Sequence, residues 1–185
     1  MKPNALGAAQ PGSDGAILAR VAEGDVAALG ELYDRYAESL LRFVGRVDAR
    51  DPEDVVQTVF LRVLRIAGRF HADAASARPW LFAIATHVLQ ERSRALRRWA
   101  ATLMRLASEA EQSQSSRVDV RSDVARGLAQ LTLAKRSVLI LAEVEGFRCK
   151  EIAAMLAIPV GTVWTRLHHA RRELRHFHDR TETFG

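Results

Sequence analysis

The sequence predicts an all-α protein built from two small helical domains that a flexible linker joins. Apolar residues recur every three or four positions over most of the chain, while the alternation typical of strands is almost absent. Residues 108–123 interrupt this pattern with small polar side chains and no apolar face, a composition typical of linkers. A length of 185 residues suits two domains of this kind.

The chain divides into five segments, and we find no internal repeat among them. A tail rich in Gly and Pro precedes the first domain and a short tail follows the second, so that the boundaries fall at 1–15, 16–100, 101–123, 124–178 and 179–185. Turn residues and apolar periodicity predict helices near 16–22, 26–47, 53–67, 80–98, 124–130 and 135–145, and a helix pair from about 149 onward.

Composition favours a polyanionic partner. The formal net charge is +5, and only three of the 27 basic residues are lysines. Arginine carries paired donors that suit phosphates and base edges. The single cysteine, Cys149, excludes a disulfide framework and a multi-cysteine zinc site and indicates a reducing compartment. Since the sequence shows no secretory signal or membrane-spanning stretch, we expect a cytoplasmic protein without a metal or other cofactor.

Residues 146–164 have the form of a helix–turn–helix. Pro159 lies at the first turn of the second helix, where proline is tolerated. A helix of this width fits the major groove of DNA, so the outer face of the second helix is a candidate recognition surface. Its inner face is predicted to bury apolar residues spaced three or four apart, namely Val160, Val163, Leu167, Ala170 and Leu174.

The outer face of this helix, here called the recognition face, combines aromatic, hydroxyl and basic side chains. A basic run alone more often forms only a solvated surface, but here it accompanies a complete helix–turn–helix pattern. The histidines do not predict a metal site, because no carboxylate or cysteine completes a ligand set. We expect Trp164, His168 and His169 to contact bases, and phosphate contacts beside them from Thr162, Thr165, Arg166, Arg171 and Arg172.

In the first domain, the helix near 53–67 follows Asp51, a capping residue, and Pro52, which suits the first helical position. Its apolar positions predict a buried face of Val55, Val56, Val59, Phe60, Val63 and Leu64. An exposed leucine on the other side indicates a protein partner. The resulting protein-binding face consists of Asp54, Gln57, Thr58 and Leu61.

The next helix carries a basic stripe that suits a nucleic-acid backbone, with Glu91 as the only nearby acid. Aromatic side chains close to such a stripe also suit single-stranded DNA, whose bases stack on rings. For Trp80, a position in the core is the alternative. The candidate contacts to single-stranded DNA are Phe70, His71 and Trp80, and the basic stripe consists of Arg92, Arg94, Arg97 and Arg98.

These motifs together resemble the bacterial extracytoplasmic-function (ECF) sigma factors, a group of the sigma-70 family. The resemblance covers residues 16–177 and implies a sigma-2-like helical bundle followed by a sigma-4-like helix–turn–helix bundle. Four segments in order are similar to the family's opening helix, polymerase-binding helix, −10 helix and −35 recognition helix, namely 28–36, 51–62, 78–85 and 161–171.

The resemblance implies a specificity subunit of RNA polymerase that has no catalytic activity of its own and no small-molecule substrate. The protein-binding face would contact the clamp helices of the largest polymerase subunit. The non-template strand of the −10 element would lie against residues 68–98, which adds Arg78 and His87 to the candidate DNA contacts, and the recognition face would read the −35 element. An anti-sigma factor is a further expected partner.

Six positions depart from the family pattern, and they affect the polymerase contact, the −10 and −35 specificity and one helix cap. Loss of the side-chain cap at Arg148 lowers the stability of the helix that follows by about 1 kcal/mol. Loss of basic residues on the recognition face lowers non-specific attraction to DNA. The departures are Thr58 for Glu, Ala77 for Phe, His87 for Asn, Arg148 for Ser or Thr, Trp164 for Lys or Arg, and His169 for Arg.

Two other classes of protein remain open on the residues alone. A helix–turn–helix regulator that binds duplex DNA as a dimer needs neither the basic stripe nor an exposed Leu61. A helical antagonist or scaffold that binds only protein does not need so basic a recognition face. An enzyme is disfavoured, because the sequence shows no Gly-rich phosphate loop, metal-ligand cluster or evident nucleophile–base pair.

Overall fold

The computed structural model describes residues 12–70, 76–106 and 123–182. Over these ranges it contains α-helices, one 3₁₀ turn at Ala67–Arg69 and no strand, which confirms the all-α prediction. The helices are α1 (Asp14–Ala22), α2 (Val26–Val47), α3 (Pro52–Ile66), α4 (Arg78–Leu106), α5 (Asp123–Gln130), α6 (Leu133–Glu143), α7 (Cys149–Leu156) and α8 (Val160–Glu182).

Helices α1 to α4 form the first domain, in which each helix packs against the next along the chain. The apolar face of α2 lies at its centre, with Leu32, Leu40 and Phe43 fully buried. From α4, Phe82 packs its ring 5.0 Å from that of Phe43. The helices are held mainly by this buried apolar surface, which contributes roughly 25 cal/mol per Å² removed from water.

Several predicted boundaries differ from the structure, among them a shift of α6 by two residues from the predicted 135–145 and extensions of three other helices. The first helix begins at Asp14, inside the segment predicted as a tail, because Ser13 caps it by accepting the Ala16 N–H. Helix α4 continues to Leu106, past the predicted end near 98, because residues 99–106 contain strong helix formers and no Gly or Pro. Helix α8 extends through residues 179–182, where a tail was expected, because residues 162–184 contain no Gly or Pro that would interrupt the helix.

Helix α3 confirms most of its predicted buried face, but two details were wrong. Leu64 is 40% exposed, whereas the other five predicted positions are buried. Asp51 does not cap the helix with its side chain, because its backbone is left-handed at φ 47°. The first turn is closed instead by the Asp51 carbonyl, which accepts the Val55 N–H at 3.2 Å.

Helices α5 to α8 form the second domain, and α7 and α8 are the predicted helix–turn–helix. Ala157 ends α7 in a left-handed conformation at φ 51°, and Pro159 immediately precedes α8. Arg148 has no side-chain acceptor to cap α7. Part of the capping is supplied from inside the helix, because the Glu151 carboxylate accepts the Arg148 backbone N–H at 2.6 Å.

The two domains pack against each other, with α2 and α4 of the first domain touching α6 and α7 of the second. Arg136 of α6 donates to the carbonyl oxygen of Val47 at 2.6 Å and to two carbonyls of its own domain. A cavity of about 790 Å³ opens beside this contact, with Arg50 and Leu128 among its lining residues.

Candidate nucleic-acid and protein interfaces

The exposed apolar surface around the predicted protein-binding face extends beyond the predicted residues. Leu61 is 52% exposed, and exposed Leu64 lies one turn farther along the same helix. Tyr33 of α2 is also exposed, and its ring packs 4.9 Å from the Phe60 ring on the adjoining surface of α3. The spacing of the two leucines was a usable signal for Leu64, whereas Tyr33 could be assigned only from the packing of α2 on α3.

One polar member of this face, Asp54, is tied to α4, and Arg62 beside the face is tied to it as well. Asp54 forms an ion pair with Arg92, and Arg62 forms one with Glu91. The Thr58 hydroxyl donates to the Asp54 carbonyl oxygen at 2.8 Å, while the Gln57 side chain is exposed. The protein-binding face and the basic stripe are therefore adjacent surfaces, joined by the ion pair between Asp54 and Arg92.

The residues predicted to contact the −10 element, here called the −10 surface, include two aromatic side chains that lie together near the start of α4. The Phe70 and Trp80 rings are 5.4 Å apart in an edge-to-face arrangement, and both are half-buried against the core. Trp80 therefore packs against the core while keeping part of its ring accessible. His87 is half-buried on the same helix, and His71 lies outside the described residues. Three stripe arginines are exposed, namely Arg94, Arg97 and Arg98.

Arg78 is engaged by the second domain. Its guanidinium donates to the Glu145 carboxylate at 2.7 Å and to the Glu145 carbonyl oxygen at 3.1 Å. The same group lies over the Phe147 ring at 4.5 Å and over the Phe82 ring at 4.8 Å. The Glu145 side chain is only 9% exposed, so this is the most enclosed contact between charged groups of the two domains.

The Arg78–Glu145 contact predicts the effect of reversing one charge. In Glu145→Lys, two cations face each other and the packed arrangement of the domains loses about 3 kcal/mol. We expect the radius of gyration in small-angle X-ray scattering to rise above the roughly 16 Å of a single compact body of this length. The matched control is Glu143→Lys, because Glu143 pairs with Arg171 inside the second domain. Equal radii for the two variants would contradict the prediction.

The recognition face on α8 is open to solvent at the predicted base-reading positions. Trp164 is 60% exposed, and the rings of exposed His168 and half-buried His169 are 5.7 Å apart. The opposite side confirms the predicted inward positions, with Val163, Leu167 and Ala170 buried and Val160 and Leu174 half-buried. The face is therefore presented by a helix whose orientation is set by the core.

The predicted phosphate contacts on α8 fall into three groups. Arg171 pairs with Glu143 of α6, and the Thr165 hydroxyl donates to the Gly161 carbonyl oxygen at 2.9 Å. Within the described ranges, the side chains of exposed Arg172 and half-buried Thr162 form no hydrogen bond or ion pair. Arg166 lines a cleft of about 370 Å³ that also receives Arg94 and Arg97 from α4, so the structure brings together cations predicted for two different DNA surfaces.

None of the described helices combines the length and apolarity that crossing a membrane requires. Among the residues of 12–70, 76–106 and 123–182, no group of three or more His, Cys, Asp or Glu side chains is arranged to hold a metal ion. Cys149 is a half-buried free thiol at the start of α7, as predicted for a packed helix residue.

These features define a helical protein of two domains that combines a helix–turn–helix with a second basic surface and an exposed apolar face. Residues 32–100 match the family profile described as Sigma-70 region 2, and residues 121–174 match the one described as Sigma-70, region 4. The ECF RNA polymerase sigma factor SigL of Mycobacterium tuberculosis is 35% identical over 160 residues, which cover 83% of this chain and 90% of the relative.

A second relative is the ECF RNA polymerase sigma-E factor of Escherichia coli, 30% identical over 177 residues, which cover 88% of this chain and 92% of the relative. The structure of CnrH in complex with the cytosolic domain of CnrY matches with a TM-score of 0.64 and 26% identity, over 90% of this chain and 97% of CnrH.

The sigma factor RpoE of Bartonella quintana, solved with the anti-sigma factor NepR, matches in fold with a TM-score of 0.62 and 18% identity, over 81% of this chain and 96% of RpoE. The chain belongs to the ECF sigma factors of the sigma-70 family. Proteins of this family are specificity subunits that bind core RNA polymerase and promoter DNA.

Proposed function

We propose that this sigma factor binds the clamp helices of the largest polymerase subunit through α3 and the exposed edge of α2. The observation that carries the assignment is the exposed apolar surface formed by Tyr33, Leu61 and Leu64, which has acidic and amide side chains at its border. An apolar centre with a polar rim is the usual anatomy of a protein interface. Asp54, Gln57 and Thr58 supply that rim.

The same proposal divides promoter recognition between the two domains. Phe70, Trp80 and the basic stripe suit the unpaired non-template strand of the −10 element, because rings stack with bases while arginines neutralise phosphates. The recognition face suits the duplex −35 element, because a major groove accepts a helix whose side chains reach base edges. The polymerase supplies the catalytic site for RNA synthesis, and this chain supplies sequence selection.

We also propose control by an anti-sigma factor. The support is that RpoE, which shares the fold, was solved with an anti-sigma factor bound. An inhibitor of this kind would act by covering the surfaces that meet polymerase or DNA. Its presence is tested by co-purification of the full chain from its own cells, with loss of the partner upon induction of transcription.

The function is tested by reconstitution with bacterial core RNA polymerase and transcription from a genomic promoter library. We expect the chain to bind core and to start transcription only at a subset of promoters that share −10 and −35 sequences. Binding to duplex DNA without any affinity for core would instead favour the dimeric helix–turn–helix regulator.

A further inference from the structure

The start of α4 is held by a side chain from the beginning of the first domain, more than 60 residues earlier in the sequence. Asp14, the first residue of α1, is buried, and one of its carboxylate oxygens accepts the Ala77 backbone N–H at 2.6 Å. Ala77 directly precedes α4 and has no side-chain acceptor for the unpaired N–H groups of a helix start. Asp14 therefore supplies the acceptor for the Ala77 N–H, while the local Ser76 hydroxyl serves the Arg78 N–H.

The same carboxylate organises the residues around it. The Tyr36 hydroxyl donates to the Asp14 carboxylate at 2.5 Å and lies 3.1 Å from the Ser76 hydroxyl oxygen. The Ser76 oxygen in turn accepts the Arg78 backbone N–H at 3.1 Å. Arg35 donates to the other carboxylate oxygen at 2.5 Å. A continuous hydrogen-bonded chain thus runs from Asp14 through Tyr36 and Ser76 to the first residue of α4.

Electrostatics favours the ionised carboxylate at this position. Burial raises the pKa of Asp14, but the hydrogen bonds donated by Tyr36, Ala77 and Arg35 together outweigh burial and leave the pKa below its usual value. The negative charge also lies at the positive N-terminal end of α4, where a helix dipole stabilises anions.

We propose that Asp14 is a positioning residue for the −10 surface: by fixing the start of α4, it sets the orientation in which Trp80 meets the DNA strand. This inference rests on the function proposed above. Asp14 need not touch DNA, because it acts through the Ser76–Arg78 backbone. Leu61 and Leu64 lie on α3 and the recognition face lies on α8, and within the described residues neither helix supplies a donor to Asp14.

The test compares Asp14→Asn and Tyr36→Phe with Asp48→Asn in the full chain bound to core polymerase. Asp48 is a matched control, because it is another well-enclosed carboxylate, paired with Arg50 at 2.7 Å, but it follows the C-terminus of α2. The readout is the fluorescence of 2-aminopurine placed in the −10 non-template strand, which reports strand opening. Affinity for core and for a −35 duplex is measured in parallel.

We expect both Asp14→Asn and Tyr36→Phe to reduce strand opening, with Asp14→Asn losing about tenfold, while core affinity and −35 affinity stay within a factor of two of the Asp48→Asn values. A promoter with a pre-opened −10 bubble should restore most of the lost transcription. A general loss of folding would lower all three readouts together and would not be rescued by the bubble.

The inference would be overturned, and the proposed function left intact, if Asp14→Asn and Tyr36→Phe opened the strand as well as Asp48→Asn does. Parallel loss of opening, core affinity and −35 affinity in both variants would overturn it as well, because the role would then be structural. Failure of the unaltered chain to bind core would overturn the proposed function itself.

Discussion

Leu61→Asp is expected to weaken binding to core polymerase by about 100-fold, the loss typical of an interface hot spot. The side chain is 52% exposed, so the substitution leaves the core of the first domain intact and the thermal midpoint nearly unchanged. On binding, however, the new carboxylate would be removed from water within an apolar contact, which costs free energy. The measurement is an equilibrium titration of labelled core polymerase.

The control for this substitution is Val124→Asp, which adds the same charge at an exposed apolar position of α5 in the second domain. Equal losses for the two variants would indicate a general charge effect and would remove α3 from the interface. The double variant Asp54→Ala and Gln57→Ala tests the polar rim separately. Its effect on core binding must be compared with Arg92→Ala, because Asp54 and Arg92 pair with each other.

Trp164→Ala and His168→Ala are expected to lower discrimination between −35 sequences by about 1–3 kcal/mol each, the range for a lost base contact. Both side chains project from the exposed side of α8, while the opposite side remains packed. The loss should therefore appear without a change in the stability of the second domain. The measurement is the ratio of affinities for a panel of −35 duplexes at one fixed salt concentration.

Arg172→Ala is the matched comparison on the same helix, because Arg172 is exposed and was predicted to contact phosphate. It should weaken binding to every duplex by a similar factor and reduce the dependence of affinity on salt. Uniform weakening by Trp164→Ala as well would reassign that side chain to the DNA backbone.

Local patterns in the sequence were sufficient for most of the secondary structure and for the helix–turn–helix. The bounds of α2 agree with the prediction, and the apolar spacing of α3 and α8 correctly identifies their buried faces apart from Leu64. These features depend on residues three or four positions apart, which periodicity reports directly. The exposed apolar surface around Leu61 could be predicted only in part, because Tyr33 joins it from α2.

Contacts between distant parts of the chain could not be predicted in this way. The pairing of Arg78 with Glu145 and of Arg92 with Asp54 depends on how whole helices pack, and nothing in the local sequence specifies a partner. Asp14 was misjudged for a related reason. Its neighbours have the composition of a tail, and its three donors come from α2 and from the start of α4.

The burial of Asp14 also bears on how the chain can be shortened or extended for laboratory work. A version that starts at Ala16, where composition alone would place the first domain, lacks both the Ser13 cap of α1 and the carboxylate beneath α4. Affinity tags and fusion partners therefore belong upstream of Gly12, whose carbonyl oxygen is itself bonded to Arg35. The folded part of the first domain therefore includes these few residues.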